Sequence, residues 1–264
     1  MGNRKDNPEI LKTQLKFWKV EAAGNDFVMI DNRNAIFNTK DSQLIKKICH
    51  RRFGIGADGL IEVRVHKDYA FEMRYFNSDG TGPVMCGNGA RAAVLFARNR
   101  GYFQKNQIRF LAPDGEHWAD LEGLDISLTI KKPQKFKVLT EHESAFFIDT
   151  GTNHVVIPVK NIATLPIAEV APYYRKKYDT NVNYIEKNSE NAWQIRTWER
   201  GVEDETYACG TGATAAAFYL HEKKNIDYPI TLTAKGGELT IFTKDEKLWL
   251  QGPAKVVFEG RLNI

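Results

Sequence analysis

Cys86-Gly87-Asn88-Gly89-Ala90-Arg91-Ala92-Ala93 returns later in the chain, nearly unchanged, as Cys209-Gly210-Thr211-Gly212-Ala213-Thr214-Ala215-Ala216. Each copy puts a thiol just ahead of a glycine turn that runs into an alanine-rich helix, expected over Asn88 to Arg100 and over Gly212 to Lys223. A helix start offers unpaired backbone N–H groups and the positive end of the macrodipole. It therefore holds a carboxylate and lowers the pKa of an adjacent cysteine. Two such helix starts predict two thiols facing one substrate.

The surroundings of the two motifs repeat as well. Phe17 to Asp31 reads as a strand pair broken at Ala22-Ala23-Gly24-Asn25-Asp26, and Asn153-His154-Val155-Val156-Ile157 echoes the strand that resumes after it. Gly54-Ile55-Gly56-Ala57-Asp58-Gly59 turns into a strand over Leu60 to Val65, with Tyr69 to Phe76 as its hairpin partner. The loop Asn77-Ser78-Asp79-Gly80-Thr81-Gly82 then delivers Cys86. In the second half, strands over Ala145 to Thr150, Val182 to Glu186 and Trp193 to Trp198, with a helix over Ile167 to Tyr174, lead to the loop Glu199 to Thr206 that delivers Cys209.

Short strands over Ile108 to Leu111, His117 to Leu121 and Leu124 to Ile130 follow the first helix. Ile230 to Ala234, Glu238 to Thr243, Leu248 to Leu250 and Val256 to Phe258 follow the second. Lys131-Lys132-Pro133-Gln134 has the composition of a linker. The expected fold class is α+β, with two pseudo-symmetric α/β domains over 1–133 and 134–255. Each is a mostly antiparallel sheet wrapped around a central helix, and the active site lies in the cleft between them.

At 264 residues, with 42% hydrophobic and 27% charged residues, the chain can bury a core and lies far from a disordered composition. The 37 basic residues are scattered among 33 acidic ones with no long basic run, so no nucleic-acid partner is expected. No stretch has the roughly 20 apolar residues of a membrane span, and Met1 to Lys16 lacks a signal-peptide core, so a cytoplasmic protein with no membrane partner is expected. Three cysteines fit a reducing compartment, with two reactive thiols and a spectator, Cys49, on the apolar face of a helix within Asp41 to Phe53. Cysteines and histidines show no zinc-type spacing, so no metal is expected.

Two thiols on opposite sides of an α-carbon can invert it, one taking a proton as thiolate while the other returns one. Backbone N–H groups at Gly87-Asn88 and Gly210-Thr211 are placed to steady a carboxylate as it gains enolate-like charge. His154 and Glu199 are the candidates to hold each thiol's proton balance, and Arg200 has the fork geometry to grip a distal carboxylate.

Asn25-Asp26-Phe27, Gly54 to Gly59, Phe76-Asn77-Ser78-Asp79-Gly80, the Cys86 motif, Trp198-Glu199-Arg200-Gly201 and the Cys209 motif together resemble the diaminopimelate epimerase family, in order from about Phe17 to the C-terminus. That resemblance implies a homodimeric epimerase that uses no cofactor, pyridoxal phosphate included. Cys86 and Cys209 would be the acid/base pair acting on a small amino-acid substrate, LL- or meso-diaminopimelate. It implies Asn25, Asn77, Asn181, Glu199 and Arg200 as substrate-binding residues, with Gly87, Asn88, Gly210 and Thr211 at the helix starts. It also implies a last strand, 256–264, that returns to the first domain.

The chain departs from the family pattern at Gly151-Thr152-Asn153-His154, at Gly59 and at Thr81-Gly82-Pro83. A related two-thiol racemase of another amino acid is the alternative. A non-catalytic amino-acid-binding or redox-sensing protein of the same fold is a more distant one.

Overall fold

Alanine decides where the two long helices sit. Ala90, Ala92, Ala93 and Ala97 of one, and Ala213, Ala215, Ala216 and Ala217 of the other, are fully buried. Such small side chains let sheet close on the helix from several sides. The computed structural model describes residues 14–123, 125–139, 142–188 and 192–263. The first half contains β1 (Gln14–Ala22), β2 (Asn25–Asp31), α1 (Ser42–Cys49), β3 (Gly59–Arg64), β4 (Glu72–Asn77), α2 (Gly87–Asn99), β5 (Gln107–Ala112), β6 (Gly115–Glu122) and β7 (Asp125–Ile130). The second contains β8 (Lys135–Leu139), β9 (His142–Asp149), β10 (Asn153–Pro158), α3 (Ile167–Tyr178), β11 (Asn181–Lys187), β12 (Trp193–Glu199), β13 (Asp204–Thr206) and α4 (Gly210–Lys224). It continues through β14 (Ile230–Ala234), β15 (Gly237–Lys244) and β16 (Lys247–Pro253), and β17 (Lys255–Asn263) ends the described chain.

The fold is α+β, and strand pairing makes the repeat explicit. In hydrogen-bonded order the first half runs β17, β1, β2, β3, β4, β5, β6, β7, and the second runs β8, β9, β10, β11, β12, β14, β15, β16. The parallel neighbours fall at the same places, β2/β3 and β4/β5 in one half, β10/β11 and β12/β14 in the other. Around α2 pack Val20, Phe27, Ile61, Val63, Met73, Phe110 and Leu128; around α4 pack Val156, Ile185, Ile195, Leu232, Ile241 and Leu250. Each sheet curls over one helix because its inward-facing positions are apolar.

The halves join through an antiparallel pairing of β7 with β16, in which Leu128 opposes Leu250. This long-range contact makes one continuous sheet across the repeat. β17 pairs with β1 along its length, so the chain end returns to the first half, while the second half supplies its own outer strand, β8. Neither β8 nor the short β13 is among the strands expected from sequence, and both helices start earlier than expected, at Gly87 and Gly210. The glycine turn expected ahead of each helix is the helix's own first turn, with the cysteine as N-cap. No helix among the described residues is long and apolar enough to cross a membrane.

Leu250 sits where the two helix starts converge. A Cβ built on Gly210 would lie 2.9 Å from its Cδ2, and one built on Gly87 3.9 Å from the same atom. Leu250 is 1% exposed. Leu250→Ala is therefore expected to lower stability by about 2–5 kcal/mol through the cavity it leaves, read as a shift in the urea midpoint.

Candidate active site

Cys86 and Cys209 leave their helices in the same way, with φ/ψ of −141°/118° and −124°/111° as N-caps of α2 and α4. The Cys86 sulfur accepts from the Gly89 backbone N–H at 3.4 Å, and the Cys209 sulfur lies 3.5 Å from the Thr211 hydroxyl. Both cysteines are half-buried, whereas Cys49 is buried in the α1 core as expected. A single amide ties the two helix starts together: Asn88 Nδ2 donates to the Ala208 carbonyl at 3.1 Å and to Asn25 Oδ1 at 2.6 Å. Asn25 is itself held by Asp58, whose carboxylate accepts from Asn25 Nδ2 at 3.0 Å and pairs with Arg51.

The negative charge of Glu199 acts on both thiols. Burial pushes the Cys86 thiol up to about 11 and the Cys209 thiol up to about 12, and the Glu199 carboxylate raises each further. Cys86 in turn adds to the shift of Cys209. Glu199 is also raised, by its burial and by the negative charge of Asp58. The expectation that the helix start lowers the thiol pKa is overturned, because the Gly89 N–H offsets only part of the desolvation.

His154, Asn181 and Arg200 form an adjoining group. Asn181 Oδ1 accepts from the Arg200 backbone N–H at 2.8 Å, and Asn181 stands beside His154 in the β10/β11 pairing. Arg200 Nη1 donates to the Asp179 carbonyl and carboxylate, at 3.2 and 2.8 Å. His154 is fully buried, its pKa is lowered to about 3 by burial and by the Arg200 charge, and its Nε2 has no hydrogen-bond partner. No Cys–His hydrogen bond is therefore formed. Asn77, at the end of β4, occupies the place in the first half that Glu199 occupies in the second, and its Nδ2 donates to Thr81 Oγ1 at 3.0 Å.

The sequence profile described as diaminopimelate epimerase matches residues 17–127 and 146–257. A protein named diaminopimelate epimerase from Flavobacterium psychrophilum is 39% identical, covering 93% of this chain and 99% of its own. One of the same name from Nitratiruptor is 41% identical over 93% of this chain and 97% of its own. The chain belongs to the diaminopimelate epimerase family. Solved structures share its fold at low identity. A phenazine biosynthesis protein of the PhzF family from Bacillus anthracis has a TM-score of 0.77 at 18% identity, covering 96% of this chain and 100% of that one. A hydroxyproline epimerase from Agrobacterium vitis has a TM-score of 0.67 at 11% identity, covering 96% and 94%.

Two departures from the family pattern have local reasons. A Cβ on Gly59 would lie 2.3 Å from the Tyr75 ring, so no side chain has room at this position. Thr81 is fixed by Asp79, which accepts from its N–H at 2.8 Å and its hydroxyl at 2.7 Å, and Thr81 in turn holds Asn77.

Sequence reasoning missed Arg91, Asn183 and Thr197. Fully buried Arg91 donates from Nη2 to Asn88 Oδ1 at 2.7 Å, which leaves the Asn88 amino group facing Asn25 and Ala208. Its place in an alanine helix was the available signal. With both thiols raised, alkylation of Cys86 and Cys209 by iodoacetamide in the substrate-free protein is expected to be slow at pH 7. Its rate should rise about tenfold per pH unit toward pH 10. Mass-spectrometric rates that level off near pH 8 would show that the helix dipole prevails over burial.

Proposed function

We propose that this chain interconverts LL- and meso-diaminopimelate without a cofactor, with Cys86 and Cys209 as the acid/base pair. One observation carries this reading: in a member of this family, two thiols cap pseudo-equivalent helices whose starts are tied by the Asn88–Ala208 hydrogen bond, and one carboxylate, Glu199, acts on both. A substrate α-ammonium between the thiols adds the positive charge that Glu199 and burial call for, and so favours one thiolate. That thiolate takes the α-proton while the opposite thiol delivers one to the other face. N–H groups of Gly87, Asn88, Gly210 and Thr211 receive the carboxylate as it becomes enolate-like, at about 3 kcal/mol per well-placed donor in a dry site.

Asn25, Asn77 and Asn181 bind the polar ends of the substrate. Arg200 takes its distal carboxylate alongside Asp179, since a guanidinium has five donors and Asp179 engages Nη1. Residues 1–133 with the last strand, and 134–255, act as the two domains whose cleft holds the substrate. The chain works in the cytoplasm, where its thiols stay reduced. It assembles as a homodimer; the half-exposed Val257 and Phe258 on β17 offer an apolar strip for that contact.

In D2O the enzyme is expected to exchange the α-hydrogen of LL-diaminopimelate while producing the meso form. A panel with lysine, glutamate and histidine should turn over poorly, and an unchanged α-hydrogen in every case would leave a binding or thiol-sensing protein. Cys86→Ser and Cys209→Ser should each lower kcat by about 10²- to 10⁴-fold without unfolding. Arg200→Met should raise KM for diaminopimelate by about 10- to 100-fold through a lost charge-assisted pair.

A further inference from the structure

The repeat gives each position around one thiol a counterpart around the other. A Cβ on Gly89 would lie 3.0 Å from Ile61 Cδ1 and 3.5 Å from Phe27 Cε1; one on Gly212, in the same place of α4, would lie 2.2 Å from Asn183 Oδ1. Ile61 stands opposite Tyr75, as Asn183 stands opposite Thr197. The parallel pairing sets Phe27 two residues before the partner of Ile61, as it sets His154 two before that of Asn183. Phe27, Ile61 and Tyr75 beneath Cys86 thus correspond to His154, Asn183 and Thr197 beneath Cys209. The first set is an apolar cluster with Phe27 and Tyr75 edge to face at 5.7 Å. The second is polar, and all three members are buried. Since one half of the same molecule packs this place with apolar groups, the fold does not require a polar set.

The polar set has a fixed direction. Asn183 Nδ2 lies 3.1 Å from the Val155 carbonyl and 3.1 Å from His154 Nδ1, while Asn183 Oδ1 accepts from Thr197 Oγ1 at 3.0 Å. A carbonyl oxygen only accepts, so the edge of Asn183 that faces it carries the two protons. The same amino group meets His154 Nδ1, which must therefore be the acceptor, and the ring proton sits on Nε2.

We propose that Asn183, held by Thr197, is a positioning residue that locks His154 as a neutral imidazole with its proton on Nε2. His154 is then a hydrogen-bond donor to substrate or thiolate, and not a proton acceptor for Cys86 or Cys209. The partnerless, fully buried Nε2 is the group that such a ligand would satisfy. Arg200, the charged neighbour, opposes imidazolium formation. This role rests on the epimerase reading above, but the lock itself is read without turnover.

The test is nitrogen NMR of the full chain labelled with ¹⁵N-histidine, with the His154 ring signals assigned by their loss in His154→Gln. Wild type should show the Nε2–H tautomer alone between pH 6 and 9. In Asn183→Ala the tautomers should mix and kcat fall by about 10- to 100-fold with KM nearly unchanged, as expected for a misdirected donor. Thr197→Val should loosen the lock and Thr197→Ser restore it, with circular dichroism confirming that each variant is folded. An Nδ1–H tautomer in wild type overturns the proposal even in a fully active enzyme. So does an unaltered tautomer and kcat in folded Asn183→Ala. An intact lock in a protein that leaves diaminopimelate unchanged overturns the functional reading instead.

Discussion

The antiparallel pairing of β7 with β16 is the constraint on which the site depends. Each half is a curled sheet around its own helix, and nothing within a half decides where the other helix points. Setting Leu128 against Leu250 brings the two last hairpins into one sheet and sets Leu250 beside both helix-opening glycines. The Asn88–Ala208 hydrogen bond then fixes the remaining freedom at the level of the reactive residues. Arg91 makes that bond directional, because its donation to Asn88 Oδ1 leaves only the amino group to reach across. A buried guanidinium is costly to desolvate, and here its charge also favours the Cys86 thiolate.

The competition at the thiols is decided by magnitude. A helix N-terminus is worth about 0.3–1 kcal/mol to an anion, and up to about 2 in partly buried geometry, whereas removing an ion from water costs several kcal/mol. Burial therefore wins in the protein alone, and Glu199 adds to it. For acid/base work this is useful. A thiol held well above neutrality is a strong base once it has lost its proton, and the positive charge of an amino acid is the natural means of bringing that state within reach. On the proposed function, the helix starts would then serve the substrate carboxylate more than the sulfur.

What sequence made legible was local. The paired Cys-Gly-x-Gly-Ala motifs announced N-caps and helices through their glycine and alanine content, and β-branched runs such as Ile230 to Ala234 announced strands. Non-local features were hidden. β8 carries Lys135 and Lys137 on an outer strand that is largely exposed, so its composition resembles a loop, and β13 is too short to show a period. The thiol pKa depends on burial, which only the closed sheet determines. Asn183 lies in Asn181-Val182-Asn183-Tyr184-Ile185, where polar and apolar residues alternate as on a half-exposed strand; that its polar face is buried against α4 follows only from the packing.

A pseudo-symmetric scaffold for this reaction has reason to be symmetric in its proton-handling groups and asymmetric around them. Diaminopimelate in its LL and meso forms differs at one α-carbon, so in the proposed two-thiol mechanism the sulfurs would meet opposite faces of that carbon while the rest of the substrate kept one orientation. Whatever grips the distal end must therefore lie to one side. Arg200, Asn181 and the polar set of His154, Asn183 and Thr197 all belong to the second half, while the corresponding ground in the first half is the apolar cluster of Phe27, Ile61 and Tyr75. The internal repeat supplies two equivalent helix starts. Departure from equivalence at three interior positions gives the second half a polar set where the first is apolar, and in the proposed mechanism a histidine that donates from Nε2 would leave the acid/base exchange to the two thiols.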